Sequence, residues 1–180
     1  MMFAVMLVLL GHLPSPVLEN EPSVVPGLLN PGRVKQLSPT PGGQWAYERP
    51  RDVADIGRDE ATRTLSLGLP VGRQFCELRL TSMVLPQGTA GSLALSFRAK
   101  LKALPGARVQ AARKIGPGLL RHGATFQLMN NPRMSRFVIQ WFQVKRGSAM
   151  IAHLEAPTAF QAACAGRAEA LVLSLRRVGP

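Results

Sequence analysis

The stretch MSRFVIQWFQVKRGSAMIAHLEAP, residues 134–157, constrains the fold of this 180-residue chain more than any other. Phe137, Ile139 and Trp141 alternate with Val138, Gln140 and Phe142, so an extended backbone here is largely apolar on both sides. Such a strand belongs inside a sheet that is covered above and below. Lys145-Arg146-Gly147-Ser148 then turns the chain, with a glycine free to adopt positive φ, and residues 149–154 return antiparallel. The stretch therefore predicts a central β-hairpin whose aromatics fill a core, rather than a surface that holds a ligand.

The neighbouring text supplies the rest of a layered domain. Leu65, Leu67 and Leu69, then Cys76, Leu78 and Leu80, recur with period two and predict two half-buried strands. Leu93, Phe97, Leu101 and Leu104 recur at helical spacing, with Thr89 or Ser92 available as cap and Pro105-Gly106 as stop. Strands follow near residues 108–115, 124–130 and 134–145, separated by GPG and NNPR. A last helix is expected from Thr158 as N-cap, with Phe160, Cys164, Leu171 and Leu175 on one stripe and Arg176 and Arg177 at its carboxyl end. This order predicts an α+β fold, an antiparallel β-sheet flanked by helices.

Ahead of that domain the chain reads differently. Phe3–Leu10 is an uncharged apolar run of signal-peptide length, too short to span a bilayer as a helix. Export to the periplasm or cell envelope is the expectation, and a buried amino-terminal strand is the alternative. Residues 1–30 read as this export segment with a proline-rich linker, and residues 31–180 as a single domain. Its lead-in, 31–63, reads as irregular and pinned to the core by Trp45 and Tyr47. Within it, RDVADIGRDEA mixes Asp52, Asp55, Asp59 and Glu60 with arginines, which reads as mutual neutralisation on a short helix rather than as a metal site.

The net charge of +12 is unevenly spread. Residues 1–63 carry six basic and seven acidic side chains, or −1, whereas residues 64–180 carry sixteen and three, or +13. Such a domain attracts polyanions, whether envelope polymers, anionic lipid or nucleic acid. Arg98, Lys100 and Lys102 lie away from the apolar stripe of the first helix, and Lys145 and Arg146 stand at the hairpin tip; these five are the candidate polyanion-binding residues.

Catalytic chemistry finds little support. No phosphate loop, nucleophile elbow or zinc-protease motif occurs. His153 and Glu155 share a strand face and could form an acid–base pair, with a hydrogen-bonded surface pair as the plainer reading. Cys76 and Cys164 could be bridged in an exported protein, or could both be buried free thiols. No metal, cofactor or enzymatic activity is expected.

The carboxyl-terminal part also carries a resemblance. An aromatic-rich QWFQVKRG at Gln140–Gly147, APTAF at Ala156–Phe160 opening a final helix, and SLR at Ser174–Arg176 are similar to PsbP-like domains, including envelope proteins of the DcrB and LpqN types. The resemblance covers about residues 64–180 and implies an α/β/α sandwich serving as an exported, non-catalytic binding or assembly module. It implies no site residues. The leading expectation is thus a binding or scaffold protein of the cell envelope acting through a basic face, with an anionic partner and room for a protein partner. A cytoplasmic nucleic-acid-binding protein is the alternative, and a small hydrolase using His153 and Glu155 stands third.

Overall fold

A computed structural model describes residues 37–85, 90–128, 131, 134–145 and 147–178. The apolar leader, the linker, Thr89 and Arg146 lie outside these residues. The elements are β1 (Leu37–Pro39), β2 (Trp45–Glu48), β3 (Ala54–Asp59), β4 (Thr64–Val71), β5 (Gln74–Val84), α1 (Ala90–Lys102), β6 (Arg108–Val109), β7 (Arg113–Gly116), β8 (Leu119–Gln127), β9 (Ser135–Lys145), β10 (Ser148–Pro157), α2 (Gln161–Leu173) and β11 (Arg176–Arg177).

The main sheet is antiparallel throughout, in the order β3-β4-β5-β10-β9-β8-β6, with β7 also paired to β8. Period-two alternation sets its two faces. Leu65, Leu67, Leu69, Leu78, Leu80, Ile139, Trp141, Met150 and Leu154 all point to one face and form the larger core. Its cover comes from α2, through Cys164, Ala168, Leu171 and Val172, and from a small sheet β1-β2-β11 that inserts Trp45 and Tyr47. On the opposite face α1 lays Phe97, Leu101 and Leu104 against Ala124, Phe126 and Val138. With both faces of β9 covered, the hairpin β9–β10 is a core element, and the molecule is an α+β sandwich. Gly72, at φ 60°, makes the two-residue turn between Val71 and Gln74, and Gly147, at φ 75°, serves the turn of the β9–β10 hairpin.

Several expectations are corrected. The segment expected to be irregular up to residue 63 carries β1, β2 and β3. Asp55 and Arg58 lie on β3, an edge strand, rather than on a short helix. Ser92 lies inside α1, so it is no cap. Thr158 does not cap α2: it opens a single 3-10 turn, and its hydroxyl donates to the Ser135 carbonyl at 3.3 Å. Arg176 and Arg177 lie past the helix end in β11, paired with β2 at Ala46 and Trp45. Backbone hydrogen bonding to the small sheet outweighs the modest dipole benefit of arginines in a last helical turn.

Candidate functional site

Acidic side chains are scarce, and the described ones are nearly all held in ion pairs: Arg49–Asp55, Arg58–Glu60, Arg79–Glu77, Arg121–Glu169, Arg136–Glu155, Arg167–Asp52 and Arg176–Glu48. Asp59 instead accepts from the backbone N–H groups of Ala61 and Thr62, which hold its carboxyl below the usual range. Between Glu77 and Glu155 the sequence has no acidic residue at all. That interval builds α1, β6, β7, β8 and β9. Its cations Arg98, Lys100, Lys102, Arg108, Arg113, Lys114 and Lys145 are exposed and have no acidic partner among the described residues.

The structure does not gather the candidate cations into one cluster. Successive helical residues turn by about 100°, so Arg98 and Lys102, one turn apart, line one flank of α1 while Lys100 lies on the other. Lys145 follows Val144 at the hairpin end of β9, whereas Leu101, beside Lys102, packs near Val138; six strand residues separate these points by roughly 20 Å. The exposed cations are thus spread over α1, β6, β7 and the end of β9. Arg146 lies outside the described residues.

Beside α1 lies a groove of about 370 Å³. Leu93 and Ala94 of α1 form one wall, Leu120, Phe142 and Val144 form the floor, and Lys114 stands at the rim. Lys114 is directly opposite Leu120 in the β7–β8 pairing, so its side chain projects from the same side of the sheet. Deeper under α1, His122 is buried between Phe97 and Phe142, with ring centroids 6.4 and 5.5 Å away. Burial, helped by Arg98, holds the His122 imidazole below its usual pKa, and its Nε2 has no hydrogen-bond partner.

From His122 under α1, a polar row runs across this sheet face toward β4. Ser66, Arg79, His153, Gln140 and His122 stand opposite one another across five strands. Arg79 donates twice to Glu77, at 2.6 and 3.2 Å, and Ser66 donates to the same carboxylate at 3.0 Å. Those bonds, Arg79's first, hold the Glu77 carboxyl below its usual range. Gln140 Nε2 lies 2.8 Å from His153 Nδ1, and Arg136 donates to Glu155 at 2.8 Å. His153 and Glu155 are thus each bonded to another residue and do not form the acid–base couple. Apart from His122, whose Nε2 is unpartnered, these side chains are bonded to one another, and the two ion pairs leave their charges balanced.

On the other face, Cys76 of β5 and Cys164 of α2 are disulfide-bonded, with Cα atoms 6.0 Å apart. Among the described residues no three His, Cys, Asp or Glu side chains are placed to hold a metal ion, and no helix is long and apolar enough to cross a membrane.

No family model and no curated protein matches the sequence. Solved structures do match the fold. Cyanobacterial PsbP (CyanoP) from Synechocystis superposes with a TM-score of 0.56 at 11% identity, covering 84% of this chain and 98% of its own. LpqN of Mycobacterium tuberculosis, a protein involved in cell envelope biogenesis, gives 0.54 at 13%, covering 80% and 91%. The chain has a PsbP-like fold. A protein of Bacteroides thetaiotaomicron gives 0.55 at 16%, covering 79% of this chain, which spans about half of that protein's length.

On this PsbP-like frame, sequence reading singled out α1 and the hairpin tip but missed Arg108, Arg113 and Lys114. The missed signal was the acid-free interval itself: counting cations shows the net charge, whereas only the spacing of acids shows which cations remain unpaired.

Proposed function

We propose that this chain is a non-catalytic, exported binding module of the cell envelope that presents the α1–β6–β7 side to an anionic partner. The observation that carries this reading is the set of exposed cations on α1, β6 and β7, which lie in an interval without acidic residues and have no acidic partner among the described residues. Their long-range field favours any polyanion, and release of that polyanion's counterions supplies most of the affinity. Export is supported by the apolar run at Phe3–Leu10, by a disulfide of the kind that persists in oxidising compartments, and by the envelope role of LpqN.

Binding of the full chain to a soluble polyanion, with heparin as the probe, tests this reading across a salt series. Affinity should fall steeply with salt, and reversing Arg98, Lys102 and Lys114 to Glu should flatten that dependence, by about one unit of log–log slope per neutralised charge if the polyanion is duplex DNA. Affinity that ignores both salt and these reversals would replace electrostatic capture by recognition of shape.

A further inference from the structure

The groove beside α1 has a chemistry of its own. Leu93, Ala94, Leu119, Leu120, Phe142 and Val144 line it with hydrocarbon, and Lys114 is the one charged residue of its lining among the described residues. Water gains little in such a space, because a bound water needs two or more polar partners. At about 370 Å³ the groove is near the small end of ligand-binding clefts, room for a single short hydrocarbon chain rather than for a two-chain lipid. No carboxylate of the described residues pairs with Lys114, so its charge is available at the mouth. An apolar slot with an available cation at its rim is complementary to a molecule that has an aliphatic tail and an anionic head.

We infer that this groove binds one free, single-chain anionic amphiphile of the fatty-acid class, its tail between Leu93 and Phe142 and its head beside Lys114. The inference rests on the proposed cationic side for its charge, and adds to it a defined seat. The aromatic group of Phe142, His122 and Phe97 closes the inner side, with Phe142 and Phe97 centroids 5.5 Å apart. The tail therefore lies along the sheet surface and does not enter the core.

Titration calorimetry of the full chain with dodecanoate, below its micelle concentration, tests the inference directly. Wild-type protein should take up one dodecanoate per chain and bind uncharged dodecyl maltoside roughly tenfold more weakly, since the charge-assisted contact at Lys114 is then missing. Ala94→Phe, which fills the slot, should weaken dodecanoate binding at least about tenfold. Lys114→Glu, at an exposed site that cannot compromise folding, should weaken it to a similar degree. Ala94→Phe should leave heparin affinity unchanged, so failure of the groove and failure of the cationic side are separately visible. The inference is overturned if wild-type protein takes up no dodecanoate, if Ala94→Phe binds it normally, or if dodecyl maltoside binds equally well. Pelleting with phosphatidylglycerol vesicles that Ala94→Phe abolishes would also overturn it, by assigning the groove to bilayer lipid.

Discussion

Trp141 has no exposed surface, and it shares its strand face with Phe137 and Ile139 beneath α2 and the small sheet. Emptying such a site removes both burial and packing, so Trp141→Ala should cost roughly 3–5 kcal/mol in a urea unfolding series. An unchanged midpoint would contradict its central position. The burial of Trp45, Tyr47 and Trp141 was legible in the sequence, Trp141 from the alternation of its strand and the other two because lone aromatics in a lead-in anchor it on the core. His122 was not legible, since its burial comes from α1 closing over β8, and no local pattern records that closure. Its titration has a definite sign. The folded chain holds His122 below the usual value of 6.5, so as pH falls through the window beneath 6.5 the unfolded chain takes up the proton more readily, and stability declines. His153, whose pKa burial also lowers, acts in the same direction. His122→Phe should reduce the acid-side loss of thermal midpoint, with a pH series from 7 to 5 as the measurement. At the alkaline end Tyr47, pushed up to about 12 by burial and then by Asp55, acts oppositely and loses stability as pH rises above 10.

Elements with a buried face were read well, and elements without one were not. Strands β4, β5 and β9 and both helices follow from alternation or helical spacing, because each packs one side against a core. Strand β3 is exposed at every position, so nothing in its side chains reports the pleat, and Asp55, Arg58 and Asp59 look equally at home on a helix. Two-residue β11 is invisible for another reason: it exists only through pairing with β2, distant in sequence. The disulfide is an element-scale device, tying α2 to β5 across 88 positions. Removing it as Cys76→Ala/Cys164→Ala should lower stability by roughly 2–5 kcal/mol, mostly through the freer unfolded chain. Equal denaturation curves for oxidised wild type and the double variant would show that packing of Leu171 and Val172 alone holds the helix.

At the scale of the molecule, most ion-paired acids of the described residues lie on or beside β2, β3, β5 and α2, whereas the cations of α1, β6 and β7 have no acidic partner among those residues. The total was evident from composition, whereas this distribution needed the ion pairs, which join residues far apart in sequence. The groove was illegible for the same reason, being assembled from α1, β8 and β9 with Lys114 from a bulged strand. If the module works in the envelope, cell fractionation should find the native chain outside the cytoplasm, with its disulfide closed in non-reducing gels. Recovery of an intact, reduced chain only from soluble cytoplasm would count against export.

The pairing of β5 with β10 has a consequence for timing. It joins Leu78 to Leu154 in the middle of the sheet, so the amino-terminal meander β3-β4-β5 cannot be completed until almost the whole domain has been delivered. Until then β5 offers a bare, leucine-rich edge of the kind that attaches to other chains. Closing so long a loop is slow compared with forming the local β9–β10 hairpin. A chain emerging amino terminus first should therefore need shelter during that interval, and pulse-labelled hydrogen exchange should find the β9–β10 amides protected before those of β4 and β5.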